Sequence, residues 1–392
     1  MFPANLHMCD HEKTSSISQK STCSDKTLLK KRHFLCEITI LTEYLHILLD
    51  YFLRYAIILL WSIVSITALL DFLEVIIMGD NKGGKKITIL GAGNVGATIA
   101  YTFAVAGTCS DIVLIDINKE KAKGEAMDIR QGVSFSHNIE VFDGTYDDAA
   151  GSDIIVVTLG LARKPGQTRL DLAQANVNII KDVMPQIAKA APDAIYVVVS
   201  NPVDIITYTI LKCTDLSPNQ VIGSGTALDT SRLRSSIADH VGLSPNSIHA
   251  YVFGEHGDTS MIPWSITNIA GISMEEYCAA QEHRDINEDE IIEEVRKAGG
   301  EVIKRKGATF YAIALTVNKI CDNILRDSNN IMTVSTLIKD RYGINDVCLS
   351  LPAVIGANGI ERNVDPTLTE TEIKKLQASA DALKSVLSQL EF

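Results

Sequence analysis

The sequence predicts an α/β protein, a doubly wound parallel sheet followed by an α+β domain. Three observations carry that expectation. From Lys86 onward, short runs rich in Val and Ile alternate with helical stretches, the β-α-β pattern of a parallel sheet. The strand runs are apolar, with polar residues only at their carboxyl ends, as suits strands covered on both faces with a site along that edge. After about Ile222 the pattern changes to longer helices with fewer buried strands.

In chain order, "ITIL" at 87–90 reads as a buried strand, and "NVGATIAYTFAVAG" as a helix closed by Gly107. "DIVLID" at 111–116 is the second strand and "KEKAKGEAMDIRQG" an amphipathic helix. "DIIVVTLG" at 153–160 and "AIYVVVSNP" at 194–202 are further strands. In the second half, "NEDEIIEEVRKAGGEVIKRKG" is helical, with Asn287 and Glu290 in capping-box positions. A last helix opens on Thr369 and Glu372 and puts Ile373, Leu376, Leu383, Leu387 and Leu390 on one face. That face needs a partner, either the chain's own body or another subunit.

Residues 1–77 do not resemble the rest. A polar, aperiodic stretch leads into "YAIILLWSIVSITALL", sixteen uncharged residues from Tyr55 to Leu70 bounded by Arg54 and Asp71. A bilayer span takes about 17–25 such residues, so this run is borderline. It also lies too far from Met1 for a secretory signal. Three expectations follow: a membrane anchor, an extra helical region, or upstream codons joined to a chain that starts at Met78. The last fits best, because "MGDNKGGKK" is a plausible polar start just before the first strand. The expected division is a leader at 1–77, a dinucleotide-binding domain at 78–222 and a substrate domain at 223–392.

The charge balance is acidic, 36 Lys+Arg against 48 Asp+Glu for a net charge of −12, which argues against a general nucleic-acid binder. The eight cysteines form no C-x-x-C pair and no zinc spacing. Reduced thiols in the cytoplasm, and no metal site, are therefore expected.

"ILGAGNVGATIA" places Gly91, Gly93 and Gly96 in G-x-G-x-x-G spacing, directly after a strand and opening a helix, with Asn94 and Val95 between the last two. The first glycine permits the tight turn, the second lets a pyrophosphate approach the backbone, and the third packs helix on strand. Asp116 ends the next strand, twenty residues past Gly96. A carboxylate there bonds both ribose hydroxyls and repels a 2′-phosphate, so this Rossmann arrangement predicts NAD rather than NADP. The bland alternative is a solvated Asp at a turn.

"FGEHGDTS" holds His256 between glycines. Asp229 and Arg232, in "GSGTALDTSRLR", are three apart on a helix and can face one pocket. A carboxylate on one imidazole nitrogen fixes the tautomer and raises proton affinity, while an arginine fork suits a substrate carboxylate. With a nicotinamide nearby, these groups predict hydride transfer at a carbon alpha to a carboxylate.

From Met78 to the C-terminus the chain resembles the lactate/malate dehydrogenase family. "GAGNVG", "SNPVDIITY", "GSGTALDTSR", "IHAYVFGEHGDTSMIPWS", "KGATFY" and "LPAVIGANGI" lie in family order. The resemblance implies that His256 exchanges the proton, Asp229 orients it and Arg232 clamps the substrate carboxylate. It further implies that Arg169 polarises the reacting carbonyl when "GLARKPGQTRLDL" closes as a lid, with Gly160 and Gly166 as hinges. Asn201 would line the cofactor–substrate junction, and Thr309 the far wall.

The resemblance leaves a branch point at Arg163. Arginine there is the usual residue of the malate branch, where it pairs with the second carboxylate of oxaloacetate. "GEHGD", "RLDL", "NPVD" and Thr309 lean to the lactate branch. A lid closing Arg163 against a methyl would desolvate an unpaired cation, and pairing it instead reverses that penalty, a swing of about 2–5 kcal/mol. The expected reaction is pyruvate with NADH to L-lactate, with oxaloacetate to L-malate as the alternative. Arg234 and His249 match positions where allosteric bacterial members bind fructose 1,6-bisphosphate at a subunit interface, which implies a homotetramer. A non-catalytic NAD sensor would need only the glycine turn and Asp116, and would have no use for Arg169, Asp229, Arg232 and His256.

Overall fold

The computed structural model describes residues 41–42, 45–46, 48–56, 84–161, 168–280 and 286–392. The chain divides into two units, Met1–Gly83 and Gly84–Phe392. In the first, the described residues are helical. The polar leader, the apolar run from residue 57 onward and the start at Met78 lie outside the described residues, as do Arg163, Lys164 and Gly166. Among the described residues no helix is long and apolar enough to cross a membrane.

The second unit opens with β1 (Lys86–Leu90), α1 (Asn94–Ala106), β2 (Asp111–Ile115), α2 (Lys119–Gly132) and β3 (Glu140–Asp143). It continues through β4 (Ile154–Val157), α3 (Arg169–Ala190), β5 (Ile195–Val198), α4 (Val203–Cys213) and β6 (Val221–Gly223). These six strands are parallel and lie in the order β3-β2-β1-β4-β5-β6. The order reverses between β1 and β4, which places a crevice at their carboxyl ends.

Each of these strands serves both faces of the sheet, as its side-chain period of two requires. Ile87, Ile89, Ile154 and Val156 point to one face, while Leu90, Ile155 and Val157 point to the other. Both faces are covered, so no polar alternation marks these strands. Gly107 closes α1 in the left-handed conformation at φ 66°, which glycine adopts without a Cβ clash.

The second half holds α5 (Ala227–Val241) and the short strands β7 (Ile248–His249), β8 (Asn268–Ile269) and β9 (Ile272–Ser273), which form a small antiparallel sheet. The helices α6 (Met274–Ala280), α7 (Glu288–Lys306) and α8 (Tyr311–Leu325) follow. Then come β10 (Asn330–Ile338), β11 (Val347–Gly356), β12 (Gly359–Asn363) and α9 (Glu370–Leu387). The expectation of fewer buried strands fits, and two long ones carry most of the burial here. The long strand β10 extends the main sheet antiparallel to β6, with Ser335 opposite Gly223, and β11 pairs antiparallel with β10. All ten residues of β11 are buried. Buried Thr333, Ser335 and Thr336 in β10, and Ser350 and Pro352 in β11, break the apolar runs that mark the earlier strands.

The capping box at Thr369 holds in full, and the one at Asn287 holds in its N-cap half. The Asn287 side chain accepts from the Glu290 N–H, and Thr369 and Glu372 form a reciprocal capping box. The apolar face of α9 finds its partner in the chain's own body. Leu376, Leu383, Leu387 and Leu390 are buried in the same cluster as Tyr196, Val198 and Leu351, and Ile373 packs against it.

Candidate active site

At the carboxyl edge of β1 the chain turns through Gly91 at φ 101°. A Cβ on Gly96 would sit 1.9 Å from the Gly91 carbonyl oxygen, so only glycine allows this approach of α1 to the turn. Gly93 is different: a Cβ there meets nothing within 4 Å. Gly93 caps α1 with no side-chain hydrogen bond, and no acidic residue stands in the first turn. The N–H groups of that turn thus face open space, as an anionic pyrophosphate requires. Asn94 is the exposed first residue of α1. Asp116 follows β2, and its two carboxylate oxygens accept from the Ala92 N–H at 2.7 Å and the Asn118 N–H at 2.8 Å. Each oxygen keeps a further lone pair for a ribose hydroxyl. These features fit a bound dinucleotide.

A cavity of about 290 Å³ opens along the same edge. It is lined by Val95 from α1, Asn201 after β5, Asp229 and Arg232 from α5, His256, and Thr309 before α8. The peptide joining Asn201 to Pro202 is cis. The Asn201 carbonyl accepts from Asn176 Nδ2 at 2.7 Å, while Asn176 Oδ1 accepts from the Leu161 N–H at 2.8 Å. One buried amide therefore ties the β4 loop to the β5 turn.

His256 lies on a loop that is clamped at its base. Phe253 bridges Met261, and Gly254 exchanges two backbone hydrogen bonds with Ser350 of β11, both 2.9 Å. His256 Nδ1 is 2.6 Å from Asp229 Oδ2, and Arg232 Nη1 donates to Asp229 Oδ1 at 2.8 Å. His256 and Arg232, read from separate motifs, therefore share the Asp229 carboxylate.

Burial opposes the charge on Asp229, but His256 and Arg232 outweigh it and hold the carboxyl below its ordinary range. An unpaired carboxylate in this place would cost several kcal/mol. Burial likewise opposes protonation of His256. The attraction and hydrogen bond of Asp229, aided by the charge of Asp204, win over burial and the repulsion of Arg232, so the imidazole's proton affinity is raised.

Asp204 was not singled out from sequence as a site residue. It stands in the first turn of α4, 3% exposed. Its Oδ2 accepts from the His256 backbone N–H at 2.8 Å and its Oδ1 from the Ser335 hydroxyl at 2.5 Å. Burial pushes its carboxyl up to about 6, against the pull of Ser335 and His256. The available signal was an acid inside the apolar run after "SNPV", which has no reason to be buried unless another group needs it.

Arg169 opens α3, and its Nη1 donates to Asp258 Oδ2 at 2.7 Å. Asp258 lines the cavity, whereas Arg169 does not. Their side chains are 76% and 74% exposed, and a pair so exposed contributes about 0–1 kcal/mol. Arg169 can leave it at little cost. Gly160, at φ 148°, sits in a conformation that side chains rarely adopt. Arg234 and His249 lie apart from the cavity. The Arg234 Nε donates to the Ala250 carbonyl at 3.1 Å and its guanidinium lies 5.2 Å from the Tyr251 ring centre, so it rests on the two residues that follow the exposed His249.

The sequence model of the lactate/malate dehydrogenase NAD-binding domain matches residues 85–223, and that of the lactate/malate dehydrogenase alpha/beta C-terminal domain matches residues 226–391. The L-lactate dehydrogenase of Acetivibrio thermocellus is 46% identical over 316 residues, which is 80% of this chain and 100% of that protein. The L-lactate dehydrogenase of Thermoanaerobacter pseudethanolicus is 47% identical over 310 residues, 78% of this chain and 99% of that one. Among solved structures, a lactate dehydrogenase from a Medee basin deep-sea metagenome library superposes with a TM-score of 0.76 at 36% identity. The match covers 78% of this chain and 98% of that one. The minor L-lactate dehydrogenase of Enterococcus mundtii superposes with a TM-score of 0.76 at 35% identity, over 79% and 99% of the two chains. The matched domains span the whole sheet and every residue of the His256 site, and the chain belongs to the lactate/malate dehydrogenase family.

Proposed function

We propose that this protein is an NAD-dependent L-lactate dehydrogenase. The observation that carries this is the shared carboxylate. Asp229 holds His256 on one oxygen and Arg232 on the other, inside a cavity at the nucleotide edge of the sheet. The compared relatives are L-lactate dehydrogenases, which weighs against the malate alternative. Residues 78–222 supply the nucleotide side and 223–392 complete the substrate side.

Gly91, Gly93, Gly96 and Asp116 would hold the nicotinamide cofactor, which would supply hydride chemistry at the substrate's carbonyl carbon in either direction. Asp229 fixes the His256 tautomer with Nδ1 toward itself, which leaves Nε2 to donate a proton to the carbonyl oxygen. Arg232 uses one Nη1 hydrogen on Asp229 and keeps donors for the substrate carboxylate. Asn201 and Thr309 bound the remaining cavity. Arg169 leaves Asp258 as the lid closes and meets the developing alkoxide, where exclusion of water strengthens its charge.

Arg234 and His249 place two basic groups on adjacent segments, the basis for reading them as a fructose 1,6-bisphosphate site. Tyr101 and Val105 on α1 and Tyr311 and Leu315 on α8 are more than half exposed. Large apolar side chains left open on two packed helices favour a homo-oligomer, a tetramer on the family pattern. Cys109, Cys213, Cys321 and Cys348 are free thiols, in keeping with a cytoplasmic setting.

The test is steady-state NADH oxidation with pyruvate and with oxaloacetate, each with and without fructose 1,6-bisphosphate. Pyruvate is expected to give the higher kcat/KM. A preference for oxaloacetate of about a hundredfold, near 2.7 kcal/mol, would instead assign Arg163 to a second substrate carboxylate.

A further inference from the structure

The base of the His256 loop is clamped to β11, but its tip gains little from its own backbone. Inside the loop the Ser260 N–H reaches the Gly257 carbonyl at 3.3 Å. Side chains supply the rest. The Glu255 N–H donates to Ser379 Oγ at 2.9 Å, Ser379 Oγ lies 3.0 Å from Thr259 Oγ1, and the Thr259 hydroxyl donates to the Glu255 carboxylate. Proton counting fixes the remaining direction. A hydroxyl has one hydrogen, and that of Thr259 goes to Glu255, so Ser379 is the donor to Thr259. The bonds therefore run in one sense, from the Glu255 N–H through two hydroxyls and back to the Glu255 carboxylate. A closed chain that ends on a charge polarises each member the same way, so it acts as a unit.

The glycines on either side of Glu255 and His256 make room for this ring. A Cβ on Gly254, at φ 91°, would sit 2.7 Å from Ser379 Oγ, and one on Gly257 would sit 2.8 Å from Glu255 Cδ. Ser379 belongs to α9, is fully buried, and meets Glu255 across 124 residues of chain. On the next residue, the His256 N–H is taken by Asp204 of α4. Two helices thus hold two successive N–H groups, and the His256 backbone cannot slide past Asp229 without breaking one of them. Glu255, Thr259 and Ser379 stand outside the cavity lining, which His256, Gly257, Asp258 and Ser260 share. They touch no reacting atom, so any part they take in turnover passes through His256.

We propose that Glu255, Thr259 and Ser379 are positioning residues for proton transfer, a hydrogen-bonded ring through which α9 holds the His256 backbone in register with Asp229. The proposal rests on the reading of His256 as proton donor given above.

The experiment compares the wild type with Thr259→Val, Thr259→Ser, Ser379→Ala and the Thr259→Val/Ser379→Ala pair, all in the full chain. The readouts are kcat and KM for pyruvate, NADH affinity by fluorescence titration, and the melting temperature. Thr259→Val keeps the side-chain shape and removes the hydroxyl. It should lower kcat about tenfold, within the range of up to about 10²-fold for a slightly misplaced catalytic group. KM and NADH affinity should stay within about twofold, because the loss falls on the transition state alone. Thr259→Ser retains the hydroxyl and should keep kcat within about twofold of wild type. Ser379→Ala should match Thr259→Val, and the pair should be no slower than either alone, since members of one ring are lost together. A purely structural role would lower the melting temperature and leave kcat per folded enzyme unchanged, which would overturn the proposal. A serine variant as slow as the valine one would do the same, as would losses that multiply to about a hundredfold in the pair. If Thr259→Val fails to melt cooperatively, kcat of Ser379→Ala decides between the two roles. A wild type that reduces neither pyruvate nor oxaloacetate would overturn the dehydrogenase reading, and this proposal with it.

Discussion

The nucleotide turn and the proton-exchange site lie on one sheet edge but are held by different forces. The turn is fixed by steric exclusion within one short stretch, since a single methyl on Gly96 would collide with the Gly91 carbonyl at 1.9 Å. The His256 site is fixed by buried charge drawn from three separate segments. Asp204 comes from α4 and Asp229 with Arg232 from α5, while the His256 loop is clamped to β11. The first is damaged by adding atoms, the second by removing a charge while leaving every atom in place. Damage to one should leave the other readable.

The largest effect is expected at His256. His256→Gln should lower kcat in both directions by about 10²–10⁴-fold, the range for a lost general acid–base. NADH affinity, measured by fluorescence titration, should stay within a few-fold of wild type. Gly96→Ala should do the reverse. NADH affinity should weaken sharply, and the fold should lose about 1–3 kcal/mol in denaturant melts, as overpacking does. If NADH bound normally to Gly96→Ala, the steric account of the turn would fail.

Arg232→Lys keeps the charge but loses the planar fork. It should raise KM for pyruvate and lower kcat/KM by about 2–5 kcal/mol, roughly 30- to 5,000-fold. An equal loss of NADH affinity would show that Arg232 supports the cofactor side instead.

The smallest effects concern pH. The raised proton affinity of His256 keeps the imidazolium populated below its shifted pKa, and it is lost as pH rises through that value. Pyruvate reduction consumes that proton, so its kcat/KM should fall along the same limb. Asp229→Asn should move the limb to lower pH. Asp204→Asn should move it the same way by less. An asparagine there can still accept from the His256 N–H while donating to the Ser335 hydroxyl, so the charge is removed and the geometry retained. A limb unmoved in Asp204→Asn would reduce Asp204 to an anchor for the loop backbone.

Locality explains how much could be read in advance. The glycine turn, Asp116, the caps at Asn287 and Thr369, and the α5 pair Asp229 and Arg232 depend on neighbours a few residues away, and their spacing shows in the chain. Asp204 touches His256 across 52 residues and Ser335 across 131, and no local pattern marks such a meeting. The buried strands β10 and β11 were hidden for another reason, since buried Thr333, Ser335 and Thr336 interrupt the apolar run of one and Ser350 and Pro352 that of the other. The Arg169 ion pair with Asp258 joins residues 89 apart on the exposed rim, where sequence gives no preferred partner.

The most direct test of the charge-held proton site is the pH dependence of kcat/KM for pyruvate reduction and for lactate oxidation, from pH 5 to 10. The two profiles should cross, with reduction falling and oxidation rising through one shared pKa above the ordinary histidine value of about 6.5. Profiles that share no pKa, or share one below that value, would contradict the claim that Asp229 holds His256 ready to donate its proton.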